Sequence, residues 1–187
     1  MADTKISALT EDTAPDLDAD FVVTVDTSTG LNKKVKPRTF GQWAVAASWT
    51  FSTNVTEVDF AGLSAYSELT LMFRAITLSN STIIRLVVSS DNGSTWKTSS
   101  GEYSYIDNSG ISTNDVAIYP YNTGHTAARS PIASIAAWNL AVPKPVLVTR
   151  TDFNYFTIND AEACNAIRCQ PATGGNITGG SIYIYGR

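Results

Sequence analysis

Glu68-Leu69-Thr70-Leu71-Met72-Phe73-Arg74-Ala75-Ile76-Thr77-Leu78 is a long, apolar-rich run bounded by polar residues. Read with a period of two, it places Leu69, Leu71, Phe73 and Ala75 on one face, the pattern of a strand with a buried side. A turn at Ser79-Asn80-Ser81 follows. Then comes Thr82-Ile83-Ile84-Arg85-Leu86-Val87-Val88-Ser89, rich in β-branched residues that fit a pleated surface. The two runs predict an antiparallel hairpin.

Working outward, the same grammar repeats. Expected strands run from Trp49 to Val55, Glu57 to Phe60, Trp96 to Thr98, Glu102 to Asp107 and Val116 to Tyr121. Others run from Ile132 to Trp138, Pro145 to Arg150, Phe153 to Ile158, Ala166 to Gln170 and Ser181 to Tyr185. Turn residues separate them roughly every ten positions, the spacing of a sandwich or barrel. The fold class is therefore all-β, and residues 44–187 are expected to form an antiparallel, jelly-roll-like β-sandwich. An immunoglobulin-like sandwich is the alternative, disfavoured because the Cys…Trp…Cys spacing is missing. Helical signal is confined to Thr39 through Ala47, where Thr39 would be the N-cap of a short linking helix. Residues 108–130 read as a long loop interrupted by the strand at Val116 to Tyr121.

Composition narrows the class. Hydrophobic residues make up 43% of the 187 residues, enough for one medium domain with a core. Charged residues are only 16%, with Ser, Thr and Asn in their place, which predicts a neutral, hydroxyl-rich surface. The net charge of -4 and pI near 4.9 argue against binding nucleic acid through its phosphates. No signal peptide and no membrane-length apolar run are evident. The cysteines, Cys164 and Cys169, stand with a single histidine, too few ligands for a zinc site. A local disulfide and two buried free thiols are the alternatives for this pair. No metal and no cofactor is expected.

Ser89-Ser90-Asp91-Asn92-Gly93-Ser94-Thr95-Trp96 matches S-x-D-x-G-x-T-W, the Asp-box, at every defined position. Asp91 can accept hydrogen bonds from turn N–H groups, and Gly93 supplies positive φ. Ser89 and Thr95 can fix the flanking chain, with Trp96 packed beneath. The motif resembles the Asp-boxes of sialidases, but those propellers repeat it at a blade-like period and gather an arginine cluster. One copy in a chain this short reads as a structural turn. For glycoside hydrolysis the available carboxylates are Asp107, Asp115, Asp152, Asp160 and Glu162. Their contexts suggest caps and Asx-turns rather than an acid and a base. His125 lies in a loop sequence without a nucleophile elbow. The chain is not expected to be an enzyme.

Aromatic residues gather in the second half. Tyr103, Tyr105, Tyr119, Tyr121 and Trp138 are candidate glycan contacts, because rings can stack on sugar C–H faces while neighbouring Asn, Asp and Ser meet hydroxyls. Tyr155 and Phe156 belong to the same group. Core or subunit-interface packing is the competing role.

Residues 1–43 differ from the rest. They are polar, hold one apolar run at Phe21-Val22-Val23-Thr24-Val25, and end in the basic stretch Lys33-Lys34-Val35-Lys36-Pro37-Arg38. So short a segment has little core of its own. Its ordered pieces are Lys5-Ile6-Ser7-Ala8-Leu9, Asp18 to Asp20, Phe21 to Asp26, Thr29-Gly30 and Lys33-Lys34-Val35. Together they resemble the anchoring segment of tailed-phage virion appendages: head spikes, tail fibres and tail spikes. The ending Gly179-Gly180-Ser181-Ile182-Tyr183-Ile184-Tyr185-Gly186-Arg187 resembles the closing strand of sandwich domains in phage and gene-transfer-agent particles.

The resemblance implies a virion structural protein, assembled in the bacterial cytoplasm and released by lysis. Residues 1–43 would dock on a capsid or tail protein, and residues 44–187 would contribute to host attachment. Ile6, Leu9, Leu17, Phe21, Val23 and Val25 would supply apolar docking contacts, with Lys33, Lys34 and Lys36 pairing acidic groups. A homotrimer and a host-surface polysaccharide are the implied partners, with no nucleic acid and no membrane insertion. Without a heptad or collagen-like tract, a compact spike or adaptor suits the chain better than a long fibre. The rival functions are a stand-alone carbohydrate-binding module and a polysaccharide depolymerase.

Overall fold

The computed structural model describes residues 22–25, 32–35, 43–107, 110–115, 117–120, 128–149 and 154–187. The chain separates into two compact units, Met1–Trp43 and Ala44–Arg187.

In the first unit, β1 (Val22–Val25) and β2 (Asn32–Val35) pair antiparallel. Val22 faces Val35 and Val25 faces Asn32. The apolar run thus forms one strand and the basic stretch supplies the other.

The second unit is an antiparallel β-sandwich. Its strands are β3 (Ala44–Thr50), β4 (Val58–Phe60), β5 (Leu69–Leu78), β6 (Ile84–Ser89), β7 (Tyr103–Asp107) and β8 (Gly110–Asp115). They continue with β9 (Ile132–Ile135), β10 (Lys144–Thr149), β11 (Asn154–Ile158), β12 (Ala166–Pro171) and β13 (Ile177–Gly186). The strands divide unequally. One sheet has eight, in the order β3-β13-β5-β9-β10-β11-β7-β8, and the other has three, β4-β12-β6. A single core cluster joins Leu69, Leu71, Phe73 and Ile184 of the large sheet to Phe60, Leu86, Val88 and Ile167 of the small one. Each such side chain, fully buried, contributes about 1.5–3 kcal/mol relative to exposure.

The run that announced the fold is β5, and Leu69, Leu71 and Phe73 are fully buried as its alternation requires. Ala75 breaks the pattern. It has φ 51° and is exposed, and the buried phase passes to Ile76 and Leu78. Along β13 the partner of Ser181 is Arg74 but that of Gly179 is Thr77, so β5 carries one extra residue in a bulge at Ala75. Ser130 Oγ accepts the bulged Ala75 N–H at 3.0 Å.

The expected hairpin between the first two runs does not form. β5 lies in the large sheet and β6 in the small one, so residues 79–83 arch across the sandwich. Residues 172–176 make the return crossing from β12 to β13. The two arches are tied together: Ser79 N–H donates to Asn176 O at 3.0 Å, and the Thr82 and Thr173 hydroxyls lie 2.8 Å apart. β6 suits this place because Leu86, Val87, Val88 and Ser89 are all buried, leaving it no solvent face.

Four other expectations change. Ala44 to Ala47 are strand rather than helix, because pairing with the end of β13 overrides the weak local helical preference. Trp96 to Thr98 form no strand. β8 occupies part of the expected long loop, paired with β7 through a two-residue connection between Asp107 and Gly110. Of the strand expected from Val116 to Tyr121, residues 117–120 are described, and there Ile118 makes an isolated bridge to Leu86 at the free edge of β6.

Candidate functional site

The Asp-box forms the turn its sequence specifies. Asp91 Oδ1 accepts the Ser89 hydroxyl at 2.6 Å and the Thr95 N–H at 2.8 Å, while Oδ2 accepts the Thr95 hydroxyl at 2.7 Å. Ser89 Oγ in turn accepts the Gly93 N–H at 2.9 Å. Asn92 and Gly93 both take positive φ, 61° and 90°. Trp96 lies beneath: a Cβ on Gly93 would meet its Cζ2 at 3.2 Å. The Ser89 hydroxyl first, and then the Thr95 groups, hold the Asp91 carboxyl down at about 2. Arg168 on β12 closes the other side, its guanidinium 4.5 Å from the Trp96 ring centre and bidentate to Asp59 of β4 at 2.7 Å.

Beyond the turn lies an open concavity of about 260 Å³ lined by Lys97, Gly101, Glu102, Asn159, Asp160 and Glu162. Lys97 follows the Asp-box, and Asp160 and Glu162 follow β11, so the site joins two connections distant in sequence. Lys97 Nζ contacts Asp160 Oδ2 directly and stands 3.4 Å from Glu162 Oε2. The Lys97 and Asp160 side chains are each 17% exposed. Asp160 Oδ1 accepts the Glu162 N–H at 2.9 Å, and Glu162 Oε2 accepts the Ser90 hydroxyl at 2.6 Å. Behind them Lys144 is wholly buried, its ammonium donating to the carbonyls of Val142, Asp160 and Glu162. A buried ammonium is tolerated because its three protons have three acceptors.

These partners set the charges. Burial acts to raise the Asp160 pKa, but the hydrogen bonds from Lys97 and the Glu162 N–H and the Lys97 and Lys144 charges outweigh it, and the pKa is lowered. Glu162 is lowered by the Ser90 hydroxyl and then by Lys97. For Lys97, burial opposes the charge, but bonding to Asp160 prevails and its pKa is raised. Neither carboxyl is held protonated at neutral pH, as a glycosidase general acid must be. Among the described residues no group of His, Cys, Asp and Glu is placed to hold a metal ion. Cys164 and Cys169 are buried free thiols, and burial raises Cys164 to about 11.

The aromatic candidates do not form one surface. Tyr103 is fully buried: its hydroxyl accepts the Val88 N–H and donates to Lys97 O, both at 3.0 Å. Trp138 is also fully buried, its Nε1 donating to Leu63 O at 3.1 Å. Both are corrections, since the inward phases of β7 and of the turn after β9 make them core and no glycan can reach them. Tyr105 and Tyr119 are half-buried against the core, Tyr105 beside Phe156 at 5.9 Å. Among the described members of this aromatic group, Tyr155 is exposed, at 54%. Tyr121, His125 and Asp152 lie outside the described residues, as do Ile6, Leu9, Leu17, Phe21 and Lys36. Val23 and Val25 lie on β1 and Lys33 and Lys34 on β2, with Val23 opposite Lys34.

The Asp-box was readable because it is local. Lys97, Glu102, Lys144 and Asn159 were missed, since no motif marks them and only the fold brings them together. The chain matches no family model and no curated protein.

Proposed function

We propose that this chain is a structural appendage of a phage-like particle, docked through residues 1–43 and displaying the sandwich of residues 44–187 as a compact spike or adaptor in host attachment. The observation that carries this reading is the division into a small unit holding the β1–β2 hairpin and a separate sandwich with its own core. It joins the ordered N-terminal motifs that resemble virion anchors. The proposed role is non-enzymatic, in keeping with Asp160 and Glu162 of the concavity both being paired with Lys97. The partner is a capsid or tail protein, and the assembly is a homotrimer.

Deletion of residues 2–40 tests it. Particles from the native host should lack the truncated chain while the full chain co-sediments with them. Incorporation of the truncated chain at the full-length level would refute the anchor.

A second reading, saccharide binding by the sandwich, is favoured by Tyr155. It stands exposed on β11 between Leu147 of β10 and Ile106 of β7, on the face opposite buried Phe156. Tyr155→Ala should abolish retention on immobilised host polysaccharide without lowering Tm. Unchanged retention would exclude that ring.

A further inference from the structure

We propose that Lys97 and Asp160 condense into an intramolecular isopeptide bond, with Glu162 as the proton shuttle, so that the folded sandwich carries a covalent cross-link. Three observations support it. The Lys97 ammonium touches the Asp160 carboxyl in a site where both side chains are five-sixths buried. A second carboxylate, Glu162 Oε2, lies 3.4 Å from the same nitrogen and is oriented by the Ser90 hydroxyl at 2.6 Å. The Glu162 N–H donates to Asp160 Oδ1 at 2.9 Å, a donor aimed at the oxygen on which negative charge develops when Cγ is attacked.

The chemistry balances without an oxidant or activating group. A proton passes from Lys97 Nζ to Asp160 Oδ2, giving a free amine beside a carboxylic acid. Nζ attacks Cγ, placing negative charge on Oδ1 and a second excess proton on Nζ. The Glu162 carboxylate takes that proton and delivers it to Oδ2, which departs as water while the Cγ–Oδ1 double bond re-forms. The products are one amide and one water, with Glu162 regenerated. Holding the two groups together supplies the effective concentration that the reaction lacks between free amino acids. Because the surroundings favour the ionised pair, the reactive neutral pair is a minor state, and the bond forms slowly and only after folding.

The cross-link would tie the connection after β6, in the small sheet, to the connection after β11, in the large sheet. Closing so long a loop stabilises chiefly by restricting the unfolded chain, as a disulfide of similar span does.

Intact mass spectrometry of the purified full chain tests the proposal, read at intervals during prolonged incubation of the folded protein. The expected result is a growing species one water lighter than the sequence mass, with tandem fragmentation joining the peptides that contain Lys97 and Asp160. Lys97→Arg keeps the ion pair and lacks the amine, so it should stay at full mass and melt about 10 °C lower than the matured protein. Glu162→Gln should slow the mass loss at least tenfold. Wild-type protein that keeps its full mass at every time overturns the proposal. So does a water loss that maps elsewhere, or one that persists in Lys97→Arg. Loss at the wild-type rate in Glu162→Gln removes Glu162 from the reaction.

Discussion

Asp91 ties its turn with both carboxylate oxygens, and its pKa of about 2 records that the ionised form is the one bound. A carboxyl whose folded pKa is depressed contributes stability above its unfolded value of 3.8, and that stability is lost as pH falls toward 2. Asp91→Asn should therefore melt below the wild type at neutral pH, and the gap should shrink between about pH 4 and about pH 2, followed by circular dichroism. A gap independent of pH would mean the charge is not what holds the turn. Tyr103 makes a different case. Its hydroxyl is the partner of the buried Val88 N–H, and Tyr103→Phe leaves that donor unsatisfied at a cost of about 1–3 kcal/mol, read as a lower urea midpoint with unchanged slope. Both residues were visible in the sequence, but only Asp91 could be given its role there. Its partners lie within four positions, whereas Tyr103 bonds Val88 fifteen positions away on another sheet. Lys97 and Glu162, sixty-five apart, were beyond sequence reasoning for the same reason.

At the level of strands, alternation of apolar residues located β5, β10, β11, β12 and β13, because burial of one face imposes a period of two, whereas β6, buried from Leu86 to Ser89, was marked by its β-branched content. It could not say which strands pair. An apolar turn-bounded pair reads as a hairpin, yet residues 79–83 arch between sheets, held by contacts to residues 172–176 that no local pattern encodes. The bulge at Ala75 was equally hidden, since its cause lies across the ladder on β13. There Gly180 has φ 99°, and a Cβ would fall 2.6 Å from Arg74 O and 2.7 Å from Ala75 O. Those are backbone atoms that cannot swing away, so Gly180→Ala should cost roughly 3 kcal/mol or more and broaden the thermal transition. Gly174, with φ 81° and open space around the same position, provides the control. Gly174→Ala should cost about 1–2 kcal/mol, the strain of the left-handed backbone alone. Equal losses would show that the bulge does not depend on close approach at Gly180.

For the whole molecule, the division at Trp43 implies that the sandwich carries its own stability. Residues 44–187 expressed alone should give a β-type circular dichroism spectrum and a cooperative melt within a few degrees of the full chain. The all-β class was legible in the chain's turns and alternation. The role proposed for residues 1–43 rests instead on their ordered motifs, and it would make them a portable docking element. Fusing residues 1–43 to an unrelated monomeric reporter and sedimenting it with particles from the native host tests that role most directly. The reporter should move to the particle fraction and be displaced by excess full-length chain. A reporter that stays at the top of the gradient, while full-length chain still co-sediments, would contradict it.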